Sequence, residues 1–381
     1  MSYCDEQYII EMRRKLHQYP EVGYELYKTC EIVGAELNKM GLTYTGKYIQ
    51  CSLVGDITVA NPKKTVAIRA DMDALPVLEN TDLPYKSKIE GNMHACGHDA
   101  HTATILGVVK YLSEHREQLR CNVRFIFQPN EEGPDSAPEQ MVPNGAVDGV
   151  DEILAFHVGN DIDCGKIGYC RGAFYASCRN FTIVVNGSST HATTPQLGAD
   201  ALGAAAQICT NIQMLRTRAL DPLKTCICTI CSLNSGNAHN VIPEQATMLG
   251  TLRTYDLDTD RDMWGRINRI AKNIAANYGC TVDISSNNVL PPVVNSPELV
   301  DRVMVSARKA LGAENVFEMP KRMCSEDFAD FATAVPASYF NLGTGKVGSD
   351  HRPPLHRNDF VIEESALKNA ADAIIQYLMD I

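Results

Sequence analysis

The segment MHACGHDAHTA holds four side chains that can bind a metal ion within eight residues. Cys96 and His98 stand two residues apart, so a thiolate and an imidazole can reach the same ion, and both are good ligands for zinc-like metals. His94 and His101 lie on either side of that pair. One alternative is a polar loop in which Asp99 caps the helix that follows. A phosphohydrolase of the His-Asp type is another, but the further His and Asp ligands that it needs are not found on flanking helices.

Two adjacent carboxylates, Glu131 and Glu132, follow the apolar run Asn122–Phe127. Neighbouring side chains diverge in a loop after a strand, so one carboxylate can bind a metal while the other faces a water in the same site. A carboxylate beside such a water is suited to act as a general base. A solvated acidic turn is the commoner origin of a Glu-Glu pair. Only the position of this pair, after a buried strand, favours a role in a metal site over a solvated turn.

Two isolated histidines complete the candidate ligand set. His157 follows the apolar residues ILAF, where a lone His is more often a hydrogen-bonded core residue than a ligand. His356, in PPLHRNDF, is equally ambiguous alone. One Cys, three His and one Glu are nevertheless together a suitable mixed ligand set for two ions.

Apolar runs that predict strands precede each of these polar groups. The predicted strands include Thr65–Ile68, Asn122–Phe127 and Ile153–Phe156, with a helical pattern over Ile105–Leu112 between the first two. RADMDALP, QPNEEG, His157 and NLGTG each come just beyond a predicted strand. Because ligands bind outside the carboxyl ends of the strands in open α/β sheets, these groups are expected to converge. The predicted fold class is α/β, a mostly parallel sheet with helices on both faces.

The middle of the chain has a different order of elements. Between residues 178 and 291 the pattern predicts strand, helix, two strands, helix and strand, which is the βαββαβ order of a ferredoxin-like unit. We therefore predict a catalytic domain of residues 1–177 and 292–381, interrupted by a ferredoxin-like α+β domain of residues 178–291.

Composition and charge exclude several classes of function. The chain has 381 residues, enough for two domains, with 45% apolar and 21% charged residues. Its formal net charge of -11 argues against a nucleic-acid partner, which a basic surface would have to neutralise. No run of 18 apolar residues predicts a membrane span, and no signal peptide is seen at the start.

The 14 cysteines are scattered over the chain, which is typical of free thiols in a reducing compartment. A cytoplasmic location is the expectation. Cys226, Cys228 and Cys231 lie close together in TCICTIC and could indicate a third metal site. Alternation on a strand sends Cys231 to the opposite face, so small buried apolar side chains are the better interpretation.

Nine segments occur in the order found in a known enzyme family. They are LHQYPEVGYE, RADMDALP, MHACGHDAHT, QPNEEG, the His157 strand, HATTPQLGADA, NVIPEQATMLGTLRT, SEDF and PPLHRNDF. Together they resemble the metal-dependent amidohydrolases that include hippurate hydrolases, bacterial N-acyl-amino-acid deacylases and plant auxin-conjugate hydrolases, within the superfamily of two-metal exopeptidases. The resemblance covers nearly the whole chain, and the combination of motifs is highly specific.

The resemblance implies two divalent ions, zinc or manganese with cobalt as a further option, and a base at Glu131. The residues that match the ligand positions are Cys96, His98, Glu132, His157 and His356.

Other positions follow from the same resemblance. The broader superfamily usually has a His ligand two residues before Asp71, but Arg69 stands there, as in the branch that contains the Cys ligand. Asp71 is therefore expected to orient a ligand or loop. The inserted domain resembles the family's lid, where His191 matches a His that contacts the substrate or the oxyanion, in some members from a partner subunit. Asn240 and Arg253 match positions that contact the substrate carboxylate, for which Arg is suited.

The implied activity is hydrolysis of the amide bond of an N-acyl-amino acid, giving a carboxylic acid and a free amino acid. The expected partner is that small-molecule substrate, and a homodimer through the lid is a further expectation. The alternative is a dipeptidase or carboxypeptidase-like exopeptidase, which shares the metal chemistry but accepts different substrates. A non-catalytic binding protein would lack a ligand or the base, and the sequence keeps all of them.

Overall fold

The computed structural model describes residues 3–381 and divides into two compact units. The first comprises Met1–Phe174, Val294–Lys321 and Asp327–Ile381, and the second comprises Tyr175–Val293 and Arg322–Glu326. The domain boundaries expected from the sequence, at 177/178 and 291/292, stay predictions. Residues 1 and 2 of the predicted catalytic domain lie outside the described residues.

The described helices are α1 (Glu6–His17), α2 (Tyr27–Lys39), α3 (His98–Glu114), α4 (Ala137–Met141), α5 (Ala201–Arg218), α6 (Leu257–Asn277), α7 (Pro297–Leu311), α8 (Phe328–Ala334) and α9 (Leu367–Asp380). Short 3-10 helices cover Arg116–Gln118, Pro195–Leu197, Ala313–Asn315 and Glu364–Ala366.

The described strands are β1 (Leu53–Ile57), β2 (Thr65–Asp71), β3 (Asn122–Gln128), β4 (Glu152–Asp163), β5 (Ile167–Tyr169), β6 (Gly172–Tyr175), β7 (Arg179–Asn186), β8 (Thr190–His191), β9 (Cys226–Ser235), β10 (Val241–Ile242), β11 (Gln245–Thr254), β12 (Thr281–Ser286), β13 (Val293–Asn295), β14 (Val316–Glu318) and β15 (Ala337–Gly345).

The first unit is built on a seven-stranded sheet with the order β1-β3-β2-β4-β15-β5-β14. The four central strands, β3, β2, β4 and β15, are mutually parallel, whereas β1 and β5 run antiparallel to their inner neighbours. Helix α3 contacts β2 and β4, and α7 and α9 contact β15. The strands β2, β4 and β15 are buried almost throughout, as expected of a sheet covered on both faces. The predicted α/β class is confirmed.

A side-chain cap fixes the start of the first helix. Asp5 accepts a hydrogen bond from the backbone N–H of Tyr8 and so caps α1, and Ile9 and Leu16 are buried on its inner side. The second helix begins at Tyr27. The Glu21 carboxylate accepts hydrogen bonds from backbone N–H groups in its first turn, which fixes the start.

Two of the four polar groups lie within strands rather than beyond them, so that part of the prediction is wrong. His157 lies inside β4, and NLGTG forms the end of β15. RADMDALP and QPNEEG begin in the last residues of β2 and β3 and continue beyond them, as predicted. The polar side chains do not interrupt the ladder, since Asn341 pairs directly with His157. Glycine lets the strands approach closely, because a Cβ at Gly343 would lie 2.1 Å from the Asp163 carbonyl oxygen.

The second unit contains an antiparallel sheet with the order β12-β7-β11-β9. Helices α5 and α6 complete the predicted βαββαβ order, with the two-residue strands β8 and β10 paired separately. As predicted, Cys226 and Cys228 are buried and Cys231 is exposed. All 14 cysteines are free thiols. Within residues 3–381, no helix combines the length and apolar character needed to cross a membrane.

Candidate metal centre

Gly97 separates the two metal-capable residues Cys96 and His98 at the start of α3. Its φ is +86°, and a Cβ there would lie 2.5 Å from the Val158 side chain, so only glycine fits this turn. Asp99 does not cap the helix, which excludes that alternative. Its carboxylate is buried and contacts other side chains of the first unit.

The structure brings all five predicted ligands of the first unit together. Three of the groups that could each hold an ion consist of these ligands and Glu131, with ligand atoms within 4.8 Å of one another. They are Cys96, His98 and His157; Cys96, Glu132 and His356; and His98, Glu131 and Glu132. The groups overlap, as expected of two ions about 3.5–4 Å apart.

The two buried histidines have the orientation that metal ligands need. Nδ1 of His98 lies 2.9 Å from the Asp73 carbonyl oxygen, and Nδ1 of His157 lies 2.7 Å from that of Val158. A carbonyl oxygen only accepts hydrogen bonds, so each Nδ1 carries the proton and donates. The Nε2 atom of each ring is then available to bind a metal ion. Nε2 of His98 is buried and has no hydrogen-bond partner among residues 3–381. The Cys96 Sγ to His157 Nε2 distance is 3.4 Å, close to the roughly 3.5 Å between ligands of a tetrahedral zinc site. The donor set therefore fits a metal.

His101, one helical turn after His98, has both ring nitrogens occupied. Nδ1 donates to Asp71 over 2.6 Å, and Nε2 accepts from the backbone N–H of Val158 over 3.0 Å. The other Asp71 oxygen accepts from Arg69, also over 2.6 Å. His101 is therefore a structural residue, and the contacts of Asp71 fit the orienting role that the resemblance implied.

His94 is completely buried and lies outside the three groups. Burial lowers its pKa to about 3, so the ring is neutral. Neither ring nitrogen has a hydrogen-bond partner among the described residues.

Asp73 organises the turn that carries Glu131 and Glu132, a role that the sequence did not indicate. One carboxylate oxygen accepts from the backbone N–H of Glu131 and the other from that of Glu132, each over 3.0 Å. Oδ1 also lies 3.3 Å from Nδ1 of His98. A second carboxylate two residues after Asp71 was the signal that could have revealed it.

Asp73→Asn is expected to weaken metal binding by about 10–100-fold, the usual effect of losing an outer partner of metal ligands. The two backbone N–H groups bind different carboxylate oxygens, and in the amide one of these positions becomes an NH2 donor that cannot accept. Titration of the metal-free variant against a chromophoric chelator measures the change. An unchanged affinity in a folded variant would contradict this role for Asp73.

His356 reaches the centre from the loop after β15. Its backbone has a φ of +68°, rare for a residue with a side chain, and its N–H donates to the Ala95 carbonyl over 2.8 Å. Nε2 lies 3.0 Å from Glu132 Oε1. The hydrogen bond to Ala95 connects the loop that carries His356 to the turn that carries Cys96.

The titratable groups of the centre respond to burial and to one another. Burial lowers the pKa of His157 to about 3, which leaves the neutral imidazole that binds metals. Burial disfavours the Glu132 carboxylate, but the hydrogen bond from His356 and the charge of His98 outweigh it and lower its pKa to about 2. Burial, with Glu132, raises the pKa of the Cys96 thiol. A bound cation would reverse that shift.

The remaining predicted residues lie in the second unit. His191 is exposed in β8, opposite Val241 of β10, and its Nδ1 lies 2.7 Å from the Thr193 hydroxyl. The Asn240 carbonyl accepts from the backbone N–H of Ala192, so Asn240 lies beside His191. Arg253 lies on β11 of the other sheet and donates to the Ser325 hydroxyl over 2.7 Å.

Comparison with known proteins identifies the family. Residues 67–380 match the model of peptidase family M20/M25/M40. The chain belongs to this family. A solved Bacillus subtilis structure described as a dinuclear metal binding peptidase from the M20 family is 30% identical, with a TM-score of 0.83 over 98% of both chains. The resemblance stated from the sequence is confirmed.

Three curated relatives of this M20 family chain have activities in their names. Thermostable carboxypeptidase 1 of Saccharolobus solfataricus is 36% identical, covering 96% of this chain and 93% of that protein. IAA-amino acid hydrolase ILR1-like 2 of Arabidopsis thaliana is also 36% identical, covering 98% and 86%. N-acetyl-L-cysteine deacetylase of Bacillus subtilis is 32% identical, covering 96% and 86%. The predicted enzyme class, an amide-bond hydrolase, is confirmed.

Proposed function

We propose that this M20 family enzyme hydrolyses the amide bond of N-acyl-amino acids with two divalent ions. The observation that carries the proposal is the convergence of Cys96, His98, Glu132, His157 and His356 on one small volume. The names of the deacetylase and hydrolase relatives support N-acyl-amino acids as the substrate class.

Glu131 is the proposed base in the first unit. Bound divalent ions lower the pKa of a water toward about 7 and polarise the amide carbonyl. Glu131 accepts a proton from the attacking water, whose oxygen joins the acyl carbon. The carbon–nitrogen bond then breaks, and Glu131 passes the proton to the leaving amine. The Asp73 carboxylate holds the backbone N–H of Glu131, which limits its movement during both transfers.

The second unit supplies the proposed contacts to the rest of the substrate. His191 donates a hydrogen bond to the oxyanion. Arg253 and Asn240 bind the carboxylate of the amino-acid part, for which a guanidinium is well shaped. These roles rest on the sequence resemblance.

The second candidate function is an exopeptidase that acts on dipeptides or on the carboxyl terminus of short peptides. The 36% identity to a protein named as a carboxypeptidase favours it. Both candidates cleave an amide next to a free carboxylate. They differ in whether the site accepts an ammonium group beside the scissile bond.

Matched substrates separate the two functions. N-acetyl-alanine and glycyl-alanine differ only by the amino group on the acyl side. After reconstitution with zinc, manganese or cobalt, we expect kcat/KM for N-acetyl-alanine to be at least about tenfold higher, because the ammonium group would lose hydration without a partner. Hippurate and longer acyl chains then define the acyl pocket. The opposite preference would support the exopeptidase, and hydrolysis of neither class by metal-loaded protein would overturn the proposal.

Metal identity, assembly and location complete the proposal. The thiolate and imidazole ligands favour zinc, whereas the carboxylates also suit manganese or cobalt.

Fourteen free thiols support a cytoplasmic location. The resemblance of the second unit to the family's lid supports a homodimer through that unit. Light scattering on the reconstituted protein tests the assembly, and a monomer would contradict it.

A further inference from the structure

The motif LHQYPEVGYE is not used by the proposed chemistry, yet it places a buried charged cluster beside the metal centre. His17 is completely buried, with Nδ1 2.7 Å from Asp99 Oδ2 and Nε2 3.3 Å from Glu79 Oε1. Arg13, one turn earlier on α1, donates to the same Asp99 oxygen over 2.9 Å. Both His17 nitrogens face carboxylates. Burial disfavours the charged ring, but Asp99 outweighs burial and raises its pKa.

Asp99 connects this cluster to the ligands, since it follows His98 in the first turn of α3. That helix has Gly97 as its N-terminal cap and no side-chain cap hydrogen bond. The first N–H groups of a helix have no partner in the helix itself and need one from elsewhere. Asp99 Oδ1 accepts from the backbone N–H of Ala100 in this first turn over 2.9 Å, while Oδ2 is held by Arg13 and His17 of α1. The Asp99 carboxylate is therefore a side-chain anchor of the turn that carries Cys96 and His98.

The same motif reaches the centre by a second route. The Glu21 carbonyl oxygen accepts from the backbone N–H of Ala74 over 2.7 Å. Ala74 follows Asp73, whose carboxylate holds the Glu131–Glu132 turn. The motif thus contacts Asp99, beside the Cys96–His98 turn, through a buried side-chain hydrogen bond. It also contacts Ala74, next to Asp73, through a backbone hydrogen bond.

We infer that His17 is a positioning residue for the metal centre: through Asp99 it holds the Cys96–His98 turn in its metal-binding geometry. The inference rests on the proposed function, because it takes Cys96 and His98 as ligands. It adds a role for a residue that contacts neither metal nor substrate.

The test compares His17→Leu, which keeps bulk and removes both donors, with His17→Gln, which keeps a donor toward Asp99. Affinity for zinc or manganese is measured by chelator competition, together with melting temperature and kcat at limiting and saturating metal. We expect His17→Leu to bind metal about 10–100-fold more weakly. Its kcat should recover to within a few-fold of the unmodified enzyme at saturating metal, and His17→Gln should lie between the two.

Tyr377→Phe is the matched control, because it removes a buried side-chain hydrogen bond to Glu152 elsewhere in the first unit. It should lower the melting temperature and leave metal affinity unchanged. Folded His17→Leu with unchanged affinity would overturn the inference, and if that variant does not fold, unchanged affinity in His17→Gln would do so. Failure of the unmodified protein to bind two ions would instead overturn the proposed function.

Discussion

Glu131→Gln is expected to lower kcat by at least about 100-fold while both metal ions stay bound, because it removes a general base and no ligand. The glutamine is nearly isosteric and keeps the backbone N–H that Asp73 holds. Its amide cannot accept the proton of the attacking water. Steady-state assays with an N-acyl-amino acid, and metal analysis of the same preparation, measure both parts of the expectation.

Glu139→Gln is the matched control, an exposed position on α4 that undergoes the same chemical change. It should keep kcat within about twofold, as expected of a surface substitution. Near-normal turnover by Glu131→Gln would remove Glu131 from the mechanism. Loss of an ion would show that Glu131 is a ligand, which the geometry allows, since its Oε2 lies 3.9 Å from Nε2 of His98.

The convergence of the ligands could be predicted because the carboxyl ends of parallel strands meet at one edge of a sheet. The detailed reason was partly wrong, since His157 lies within β4 rather than after it. It still reaches the centre because β4 and β2 are paired. His157 stands three residues beyond Leu154, and Asp71 three beyond its partner Ile68, so both lie at the same level.

The supporting contacts could not be predicted, because they join distant parts of the chain without a local pattern. Asp73 acts on backbone N–H groups 58 and 59 residues away. His98 and His101 are the same residue type, three positions apart in one helix. Only the backbone N–H of Val158, which donates to His101, makes one structural and leaves the other available to a metal. Such distinctions depend on tertiary packing.

Cys96 is one of the ligands whose loss should affect the binding of both ions. Its Sγ belongs to the group with His98 and His157 and also to the group with Glu132 and His356. Cys96→Ala should therefore lower the affinity of the protein for both ions, whereas His356→Ala removes a ligand from one group only. We expect more than about 100-fold loss of affinity, beyond the usual effect of an outer partner. Metal analysis after gel filtration should find fewer than two ions per chain, and activity should fall with them.

Cys121→Ala is the matched control for this substitution, because Cys121 is another buried free thiol and lies in none of the metal-binding groups. It leaves the same small cavity, so it should cost a similar amount of stability while keeping two ions and normal turnover. If Cys96→Ala lost one ion and kept the other at full affinity, the thiolate would serve a single metal. If both ions stayed bound at full affinity, Cys96 would be a buried apolar residue, and the ligand set would have to be built from the His and Glu side chains alone.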